Sequence, residues 1–430
     1  MNSQDSAELD DPTRDRQQRI LILNQYAAPD TTPSAHYVST VARALADAGM
    51  EVTVLAGEPS YGEGMIPAPL QELRDGVQIR RLRMGSWRGR QSKLRRFGGY
   101  LRYLAGAALV GRRIVQAGPP DVVMCFSNPP LVPLVAGWLA RRASARMIYV
   151  IHDIHPDILL ATDWMFLPGP IVHAWNMLNH VMLEGASTVV VLGEGMKQLL
   201  LAEKGVAAER VHVIPLWAEP ELRPSARDEN LRDELGVGRD ELLVLSMGNL
   251  GVMHSLEPVV EGAHRLDGRP VRFVFVESGV RLDYWRERFQ GLTNVSFVPY
   301  RTGKAFHRLV AACDVGLVPL SPGMERFAVP SRAYTFLSAE RPLLTIMDPE
   351  ADIARLVTDS RCGCNVESGQ ELADWVKYNL ANRADLQISA RHARETYEAQ
   401  FTREVVLDRY AALCAGAQTE PDDHRSTLSS

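Results

Sequence analysis

The chain has 430 residues, of which 46% are hydrophobic and 23% are charged, and its formal net charge is −5. This length suffices for two or three domains, and the composition is that of an ordinary globular protein. A net negative charge does not indicate a nucleic-acid partner. No run of about 18 apolar residues occurs, so we predict no membrane-spanning helix, and the polar, acidic N-terminus does not have the pattern of a signal peptide.

The five cysteines are widely spread and do not form a metal-ligand pattern with histidines. Their odd number and their spacing predict a reducing compartment and no metal site. Cys362-Gly-Cys364 is a lone C-x-C pair, which we interpret as structural or incidental.

Residues 1–18 are expected to be a disordered tail. Beyond them the first half alternates apolar strands with helical patterns, which predicts a parallel sheet with right-handed crossovers. We predict strands at 19–24, 51–56, 77–82, 121–126, 146–151, 186–192 and 211–215, and helices at 36–48, 92–116, 129–142 and 193–203. The first loop between strand and helix carries no GxGxxG, so a dinucleotide site there is not expected.

A basic block runs from Val77 to Pro120, a stretch with no Asp or Glu. It includes aromatic residues, Trp87, Phe97, Tyr100 and Tyr103 among them. One interpretation is a surface helix with solvated arginines; the other is a face that lies on anionic lipid headgroups, with Trp87 and the tyrosines at the interface. The block contains eleven basic residues: Arg80, Arg81, Arg83, Arg88, Arg90, Lys93, Arg95, Arg96, Arg102, Arg112 and Arg113.

The strand predicted at 146–151 runs into the sequence HDIHPD, residues 152–157. In open α/β sheets ligands bind beyond the carboxyl ends of strands. Four titratable side chains at such an end make a candidate acid/base or substrate-hydroxyl site, with His152 and Asp153 foremost. The alternative is a polar turn in which Asp153 or Asp157 caps a helix.

Residues 216–240 are rich in Pro, Arg, Asp and Glu and are expected to form a linker. The second half repeats the α/β pattern, and two such halves predict a cleft between domains, a common ligand site. Its predicted strands are 242–247, 271–276, 295–298, 315–319, 342–346 and 363–366, and its last helix is 402–415.

The stretch LVLSMGNLG, residues 243–251, is an apolar run that ends in a glycine turn, with a helical pattern from Leu256. Strand, glycine turn and helix present backbone N–H groups to a phosphate, and Gly251 would allow its close approach. Farther along, Val329-Pro330-Ser331-Arg332 opens another helical pattern, where Arg332 would add a charge-assisted contact. Either feature is also compatible with an ordinary turn or N-cap; together they favour a diphosphate.

The chain resembles GT-B glycosyltransferases of family 4, and within them the bacterial transferases of the colanic-acid and O-antigen type. The matching stretches cover most of residues 19–412 and include RILILNQYAAPD, HDIHPD, ASTVVVLGEGMKQLL, LVLSMGNLG and VPSRAYTFLSAERPLL. The resemblance implies an α/β chain of two Rossmann-like domains with parallel sheets facing a central cleft. We place the acceptor-side domain at 19–215, the donor-binding domain at 241–400, a crossover helix at 401–415 and a disordered tail at 416–430.

The resemblance also implies site residues. The GNLG-type turn, Gly248, Asn249 and Gly251, would meet the donor diphosphate together with Ser331 and Arg332, and Pro299–Tyr300 would lie at the nucleobase. His152 and Asp153 become candidates for contacts to the acceptor or the sugar. Retention of configuration is implied, without a metal or another cofactor.

Several positions depart from the family pattern. Two glutamates, spaced eight apart in many members, correspond to Phe327 and Thr335; the latter takes the position that usually holds the ribose, and nearby Glu325 is a possible substitute. Asn249 and His254 stand where Arg and Lys are common. Glu277-Ser278-Gly279 replaces a glycine-rich loop, and Glu340 replaces a glycine.

These observations predict a retaining transferase that moves a sugar from a nucleoside-diphosphate donor, with uridine favoured, to a polyprenyl-diphosphate-linked acceptor during surface polysaccharide synthesis. The basic face, with Arg88, Arg95, Arg96 and Arg102, would dock on the inner side of the cytoplasmic membrane. Two alternatives remain: a non-catalytic GT-B protein that binds nucleotide sugars or acts as a scaffold, and a GT-B epimerase or hydrolase.

Overall fold

The structure is a computed structural model that describes residues 17–59, 68–85, 93–161 and 168–417, without the side chains of Lys93, Leu94 and Arg96. Trp87, Arg88 and the side chain of Arg96 therefore lie outside the described residues, as does most of each predicted tail. The predicted α/β architecture is confirmed, because the chain forms two sheets, one of eight strands and one of six.

The first sheet is parallel except at one edge. Strand β1 pairs in parallel with β2 on one side and β5 on the other, and the strand order is β3-β4-β2-β1-β5-β6-β7-β8. Apolar runs such as RILIL are buried on both faces, as expected for a parallel sheet. The strands are β1 Arg19–Leu23, β2 Glu51–Gly57, β3 Gln71–Arg74, β4 Val77–Leu82, β5 Val122–Phe126, β6 Arg146–Val150, β7 Thr188–Val191 and β8 Val211–Val213.

Strand β3 was not predicted. It pairs antiparallel with β4 through a two-residue turn at Asp75 and Gly76, whose φ angles are 49° and 76°. Two consecutive positive φ angles define the hairpin turn that Asp-Gly favours. The Asp-Gly pair was therefore the readable signal, and the exposed residues of β3 hid the strand.

The helices of the first half begin and end close to their predicted positions, except that α4 and α5 were not predicted. The first helix starts three residues earlier than predicted, because Pro33 follows Thr32, whose side chain accepts a hydrogen bond from Ala35 N at 3.2 Å. The helices are α1 Pro33–Asp47, α2 Lys93–Ala117, α3 Val132–Ala143, α4 Asp157–Ala161, α5 Gly169–Gly185 and α6 Glu194–Lys204.

The second sheet is parallel throughout its paired strands, in the order β11-β10-β9-β12-β13-β14. Its core includes Phe273, Phe275, Trp285 and Phe289, and burial of such apolar side chains is the main stabilising contribution. The strands are β9 Leu242–Ser246, β10 Val271–Glu277, β11 Val295–Pro299, β12 Val315–Pro319, β13 Leu343–Ile346 and β14 Gly363–Asn365.

Helices connect these strands and close the chain. A short helix, α7, lies inside the segment that we predicted as a linker, and Asp228 caps it by accepting from Leu231 N at 2.8 Å. The helices are α7 Glu229–Glu234, α8 Glu257–Arg265, α9 Leu282–Arg288, α10 Gly303–Ala312, α11 Arg332–Ser338, α12 Asp352–Asp359, α13 Gly369–Ala381, α14 Arg383–Gln400 and α15 Arg403–Ala415.

The contacts between Cα atoms divide the chain into two compact units. The first contains residues 1–150, 181–188 and 410–430, and the second contains 151–180 and 189–409. The end of α15 belongs to the first unit, where Gln18 Nε2 donates to Cys414 O at 2.6 Å and Arg146 Nη1 donates to Leu413 O at 3.1 Å. The domain boundaries given above remain predictions.

Candidate donor site

The candidate site lies where the direction of chain progression across the second sheet reverses. Strand β9 is central, with β10 on one side and β12 on the other. In such sheets the loops that follow the two diverging strands leave a crevice at their carboxyl ends. Those loops carry the predicted residues: the turn from Gly248 follows β9, and Glu325, Ser331 and Arg332 follow β12.

The glycine turn and Arg332 are in contact. Gly248 has a φ angle of 96°, a conformation that favours glycine, and a Cβ atom built there would lie 3.3 Å from Arg332 Cζ and Nη2. The turn and the guanidinium therefore approach each other more closely than most side chains would permit. This contact brings together two segments that the sequence placed in the same site.

His254 holds the guanidinium. Arg332 Nη2 donates to His254 Nε2 at 2.8 Å, so the imidazole is neutral and carries its proton on Nδ1. Burial, with the neighbouring Arg332 charge, lowers the pKa of His254 to about 3. At this position, where cations are common in the family, His254 thus acts as an acceptor that orients Arg332.

Two donors in this pocket are buried without a partner in the described part of the chain: Arg332 Nη1 and His254 Nδ1. Burial lowers the pKa of Arg332 to about 10, which leaves the guanidinium charged at neutral pH. Buried donors without partners are costly unless a ligand satisfies them. A charged guanidinium beside a second N–H group fits an anion with several oxygens, such as a diphosphate.

The turn is clamped from the other side by the loop after β10. Leu250 N donates to Ser278 O at 2.7 Å, and Arg281 N donates to Leu250 O at 3.0 Å. Gly279, with a φ of 113°, permits this approach, because a Cβ there would lie 2.3 Å from Asn249 Oδ1. Glu277-Ser278-Gly279 thus retains the one glycine that the close approach requires, a residue whose role the sequence analysis missed.

The loop after β12 contributes a carboxylate with one buried oxygen, that of Glu325. Ser321 N donates to Met253 O at 2.8 Å, which ties this loop to the segment after the glycine turn. Farther along, Glu325 lies in a single 3₁₀ turn, and its Oε2 atom is buried without a hydrogen-bond partner in the described part of the chain. An unsatisfied buried acceptor suits a hydroxyl-bearing ligand, which keeps Glu325 as a candidate for the ribose.

Other predicted donor residues occupy more ordinary positions. Pro299 ends β11 opposite Glu277, and Tyr300 is 64% exposed beside it. Thr335 is half-buried on α11, and Ser331 precedes that helix without a side-chain capping bond. Helix α8 begins only at Glu257, whose own carboxylate is in its first turn. The predicted start of this helix at Leu256 is therefore confirmed to within one residue.

The HDIHPD segment contains two kinds of residue: His155 and Asp157 make contacts that hold the loop, and Asp153 is exposed. Asp157 Oδ1 accepts from Lys204 Nζ at 2.7 Å, and His155 O accepts from Asn179 Nδ2. Asp153 is exposed, and burial lowers the pKa of His152 while the Asp153 carboxylate opposes that effect. The lowered pKa keeps the His152 imidazole neutral at neutral pH, and the ion pair with Lys204 gives Asp157 a structural role.

A further support of the donor loop was missed. The N-terminus of α6 has no side-chain cap of its own, and Asp352 Oδ2 accepts from Gly195 N at 3.4 Å. A Cβ at Gly193 would lie 2.2 Å from Asp352 Oδ2, and one at Gly195 would lie 2.8 Å from Glu325 O. The spacing Gly-x-Gly before α6 was the available signal.

The basic block is only partly an exposed basic face. Arg95 and Arg102 are exposed on α2, next to Phe97, which is 59% exposed. Two assignments were wrong: Arg81 is buried and lies 2.7 Å from Glu72 Oε1, and Tyr103 is buried with its hydroxyl donating to Leu55 O at 2.8 Å. The remaining exposed arginines are a candidate lipid-facing surface.

Within residues 17–59, 68–85, 93–161 and 168–417, no group of three or more His, Cys, Asp or Glu is arranged to hold a metal ion. In the same ranges, no helix combines the length and the apolar character needed to cross a membrane.

Known proteins resemble this chain in sequence. Residues 34–217 match the family model described as a glycosyl transferase 4-like domain. A probable glycosyltransferase, WbjE of Pseudomonas aeruginosa, is 23% identical over 301 residues, which are 68% of this chain and 74% of WbjE. The putative colanic acid biosynthesis glycosyl transferase WcaI of Escherichia coli K12 is 28% identical over 208 residues, 46% of this chain and 51% of WcaI.

A solved structure shows the same fold. The Anabaena protein HepE in complex with UDP-glucose superposes with a TM-score of 0.63 over 93% of this chain and all of that chain, at 16% identity. Together with the two parallel sheets, these findings confirm the predicted fold and enzyme class. The chain is a glycosyltransferase of the GT-B fold, and its residues 34–217 match the glycosyl transferase 4-like domain.

Proposed function

We propose that the chain transfers a sugar from a UDP-linked donor to a lipid-linked acceptor in the synthesis of a bacterial surface polysaccharide. The observation that carries the donor part is the half-buried pair of Arg332 and His254 beside Gly248, whose buried Nη1 and Nδ1 atoms have no hydrogen-bond partner in the described part of the chain. The complex of HepE with UDP-glucose supports a uridine donor. The similarity to WcaI and WbjE supports a polysaccharide pathway.

In the proposed reaction the bond between the anomeric carbon and the diphosphate oxygen breaks while the acceptor oxygen forms a new bond on the same face. The acceptor proton moves to the leaving diphosphate, and the configuration is retained. Negative charge develops on the diphosphate, where the Arg332 guanidinium would stabilise it. His254 keeps the guanidinium in place and contributes its Nδ1–H.

The other site residues receive supporting roles. Asp153 and His152 would contact the acceptor hydroxyl or the transferred sugar, Glu325 would accept from the ribose, and Tyr300 would stack on the nucleobase. The nucleotide sugar is the substrate, and we propose that neither a metal nor another cofactor takes part.

A donor panel tests this function. UDP-, GDP- and dTDP-linked sugars are incubated with the protein and a lipid extract that contains polyprenyl-diphosphate saccharides. Radiolabel should enter the lipid fraction with a UDP-sugar, and the new linkage should keep the donor configuration. Free sugar without lipid product would indicate a hydrolase, and UDP-sugar binding without any turnover would indicate a non-catalytic protein; both results contradict the proposal.

We also propose that the exposed arginines of α2 dock the protein on the inner face of the cytoplasmic membrane. Each lysine or arginine near an anionic surface contributes about 1 kcal/mol. Flotation with anionic liposomes should fall at least tenfold in the variant Arg95→Gln, Arg96→Gln, Arg102→Gln. The control replaces three exposed arginines of the second half, Arg265, Arg355 and Arg391, by Gln, and equal loss in both variants would reject the α2 surface.

A further inference from the structure

Helix α5 exposes a stripe of apolar side chains. Ile171 is 49% exposed, Met177 60%, Leu178 37% and Val181 53%, and Ala174 between them is also exposed. These five residues recur at spacings of three and four, so they share one face of the helix, here called the outer stripe. Contiguous exposed apolar residues of this kind mark an interaction surface rather than ordinary surface.

The outer stripe carries no charge. From Pro170 to Leu183 the sequence contains no Lys, Arg, Asp or Glu. The polar residues His173, Asn176, His180 and Glu184 lie on a separate face, since they fall between the outer stripe and the buried positions on a helical projection. A partner that recognises salt bridges or a polar peptide therefore has no contact to make with this stripe.

The opposite face of α5 holds the HDIHPD segment. Asn179 is buried and donates to His155 O, and the rings of Trp175 and His155 lie 6.4 Å apart. Lys204 Nζ donates to Asp157 Oδ1 at 2.7 Å and to Asn176 Oδ1 at 3.4 Å, which connects the loop to the helix. The helix that exposes the apolar stripe therefore also fixes the position of the loop that carries His152 and Asp153.

We propose that the outer stripe of α5 inserts into the interfacial region of a lipid bilayer and seats the HDIHPD loop at the membrane surface. Charge complementarity favours a bilayer. Arg141 and Arg142 are exposed at the end of α3, and the Cβ position of Gly185 at the end of α5 lies 3.7 Å from Arg141 Nη1. An apolar stripe next to exposed arginines fits acyl chains next to anionic headgroups.

A second copy of the chain fits this surface less well. A stable protein interface covers about 800 Å² on each partner, whereas the outer stripe is a single helix face about one side chain wide. An interfacial helix needs no partner surface of that size, because its apolar face enters the headgroup boundary by about 5–10 Å.

The inference rests on the proposed lipid-linked acceptor and extends it. A diphosphate attached to a membrane lipid stays at the headgroup level. A loop fixed to the inner face of an interfacial helix stays at the same level, so His152 and Asp153 reach the acceptor without its extraction from the bilayer. The basic residues of α2 would then supply salt-sensitive attraction, and α5 would supply salt-insensitive insertion.

The test separates these two contributions by salt. The variant Met177→Gln, Leu178→Gln, Val181→Gln is compared with His173→Gln, His180→Gln, which changes only the polar face of the same helix. Binding to phosphatidylglycerol vesicles is measured at 0.1 M and 0.5 M salt. At 0.5 M salt, vesicle binding should be at least tenfold weaker in the stripe variant than in the parent. In the control it should be less than twofold weaker.

A fluorescent probe at a single position tests the insertion of α5 without the triple substitution, which could cause misfolding. Met177→Cys and His180→Cys are each labelled with an environment-sensitive dye; the native cysteines are buried, except for the half-buried Cys364. Vesicles should shift the emission of the probe at 177 to the blue and leave the probe at 180 nearly unchanged. Equal shifts, or no shift at 177, would overturn the inference.

Sedimentation and turnover measurements also test the insertion of α5. If the stripe variant changes a dimer into a monomer in sedimentation without vesicles, the partner is a second copy and the bilayer inference is wrong. Turnover of a short water-soluble acceptor should be the same in the stripe variant and the parent, while turnover of the vesicle-bound acceptor falls. Absence of turnover in the parent protein would reject the proposed function, and the binding and probe results would still decide the insertion of α5.

Discussion

Two polar regions follow buried strands, and they differ in how their polar groups are satisfied. After β9, Arg332 Nη1 and His254 Nδ1 are buried without partners in the described part of the chain. After β6, Asp157 Oδ1 accepts from Lys204 Nζ and the His155 carbonyl accepts from Asn179 Nδ2, whereas Asp157 Oδ2 is buried without a hydrogen-bond partner in the described residues. The first region leaves two N–H donors for an anion, whereas in the second region an ion pair and a side-chain amide hold the loop in place.

The largest effect is expected at Arg332. Arg332→Ala removes the charge that stabilises the leaving diphosphate and leaves His254 without its donor, so kcat/KM should fall by about 10²-fold or more. Steady-state kinetics with the donor identified by the panel measure this. Arg326→Ala on the same loop, where Arg326 pairs with the exposed Glu203, is the control. Unchanged kinetics in Arg332→Ala would remove this residue from the mechanism.

A smaller effect is expected at the glycine turn. Gly248→Ala places a Cβ 3.3 Å from the guanidinium at a positive φ, so donor affinity should fall about tenfold and unfolding free energy by about 1–2 kcal/mol. Gly268→Ala is the matched control, because Gly268 has a positive φ of 74° in a different turn and a Cβ there would meet no atom within 4 Å. Calorimetric titration with the donor and urea unfolding give both quantities. Equal affinities in the two variants would contradict the close approach at Gly248.

A change that weakens the HDIHPD loop should lower the unfolding free energy and leave donor affinity unchanged. Lys204→Ala leaves Asp157 without its ion partner at a site where both side chains are less than one-fifth exposed. The unfolding free energy should fall by about 1–2 kcal/mol, with donor affinity unchanged. Lys377→Ala breaks a more exposed pair with Asp374 and should cost at most about 0.5 kcal/mol. A loss of donor affinity in Lys204→Ala would place the HDIHPD loop in the donor site.

The lowered pKa of His254 should make the unfolding free energy depend on pH. Its pKa of about 3 in the folded protein lies below the ordinary histidine pKa of 6.5, so the unfolded chain takes up a proton below pH 6.5 before the folded chain does. Stability is therefore lost as pH falls from 6.5 towards 3, and this residue should account for about 1.5 kcal/mol between pH 6.5 and 5.

The variant His254→Gln retains an acceptor for Arg332 and does not titrate. Urea unfolding of both proteins at pH 6.5 and 5 gives the change in unfolding free energy over this range. The change in the parent minus the change in the variant is the contribution of His254. The parent should lose about 1.5 kcal/mol more than the variant over this range. Equal losses would show that the imidazole titrates normally and is not held neutral by burial and Arg332.

The sequence predicted the strands well because apolar, β-branched runs such as Leu242–Ser246 are buried on both faces. It missed α5, because a helix that is apolar on two faces lacks the usual polar alternation. It identified Gly248 and Arg332 as site residues but not their contact, since 84 positions separate them along the chain. It did not reveal that His254 is neutral, because the protonation state depends on burial, which residue type does not show.

The smallest effect is expected outside both regions, at Glu340. This residue replaces the glycine that the resemblance implies, and it has a φ of 58° at the end of α11, where Arg341 N donates to Phe336 O at 2.9 Å. A left-handed residue after a helix is usually glycine. Glu340→Gly should therefore raise the unfolding free energy by about 1 kcal/mol, without a change in donor affinity.

The control is Glu395→Gly in the interior of α14, which should lower stability by about 1 kcal/mol. Thermal unfolding and calorimetric titration of both variants measure the two quantities. If Glu340→Gly gains no stability, the side chain of Glu340 offsets its backbone strain through contacts of its own. If donor affinity changes as well, the end of α11 is coupled to Arg332 at its start, and the pocket extends along the whole helix.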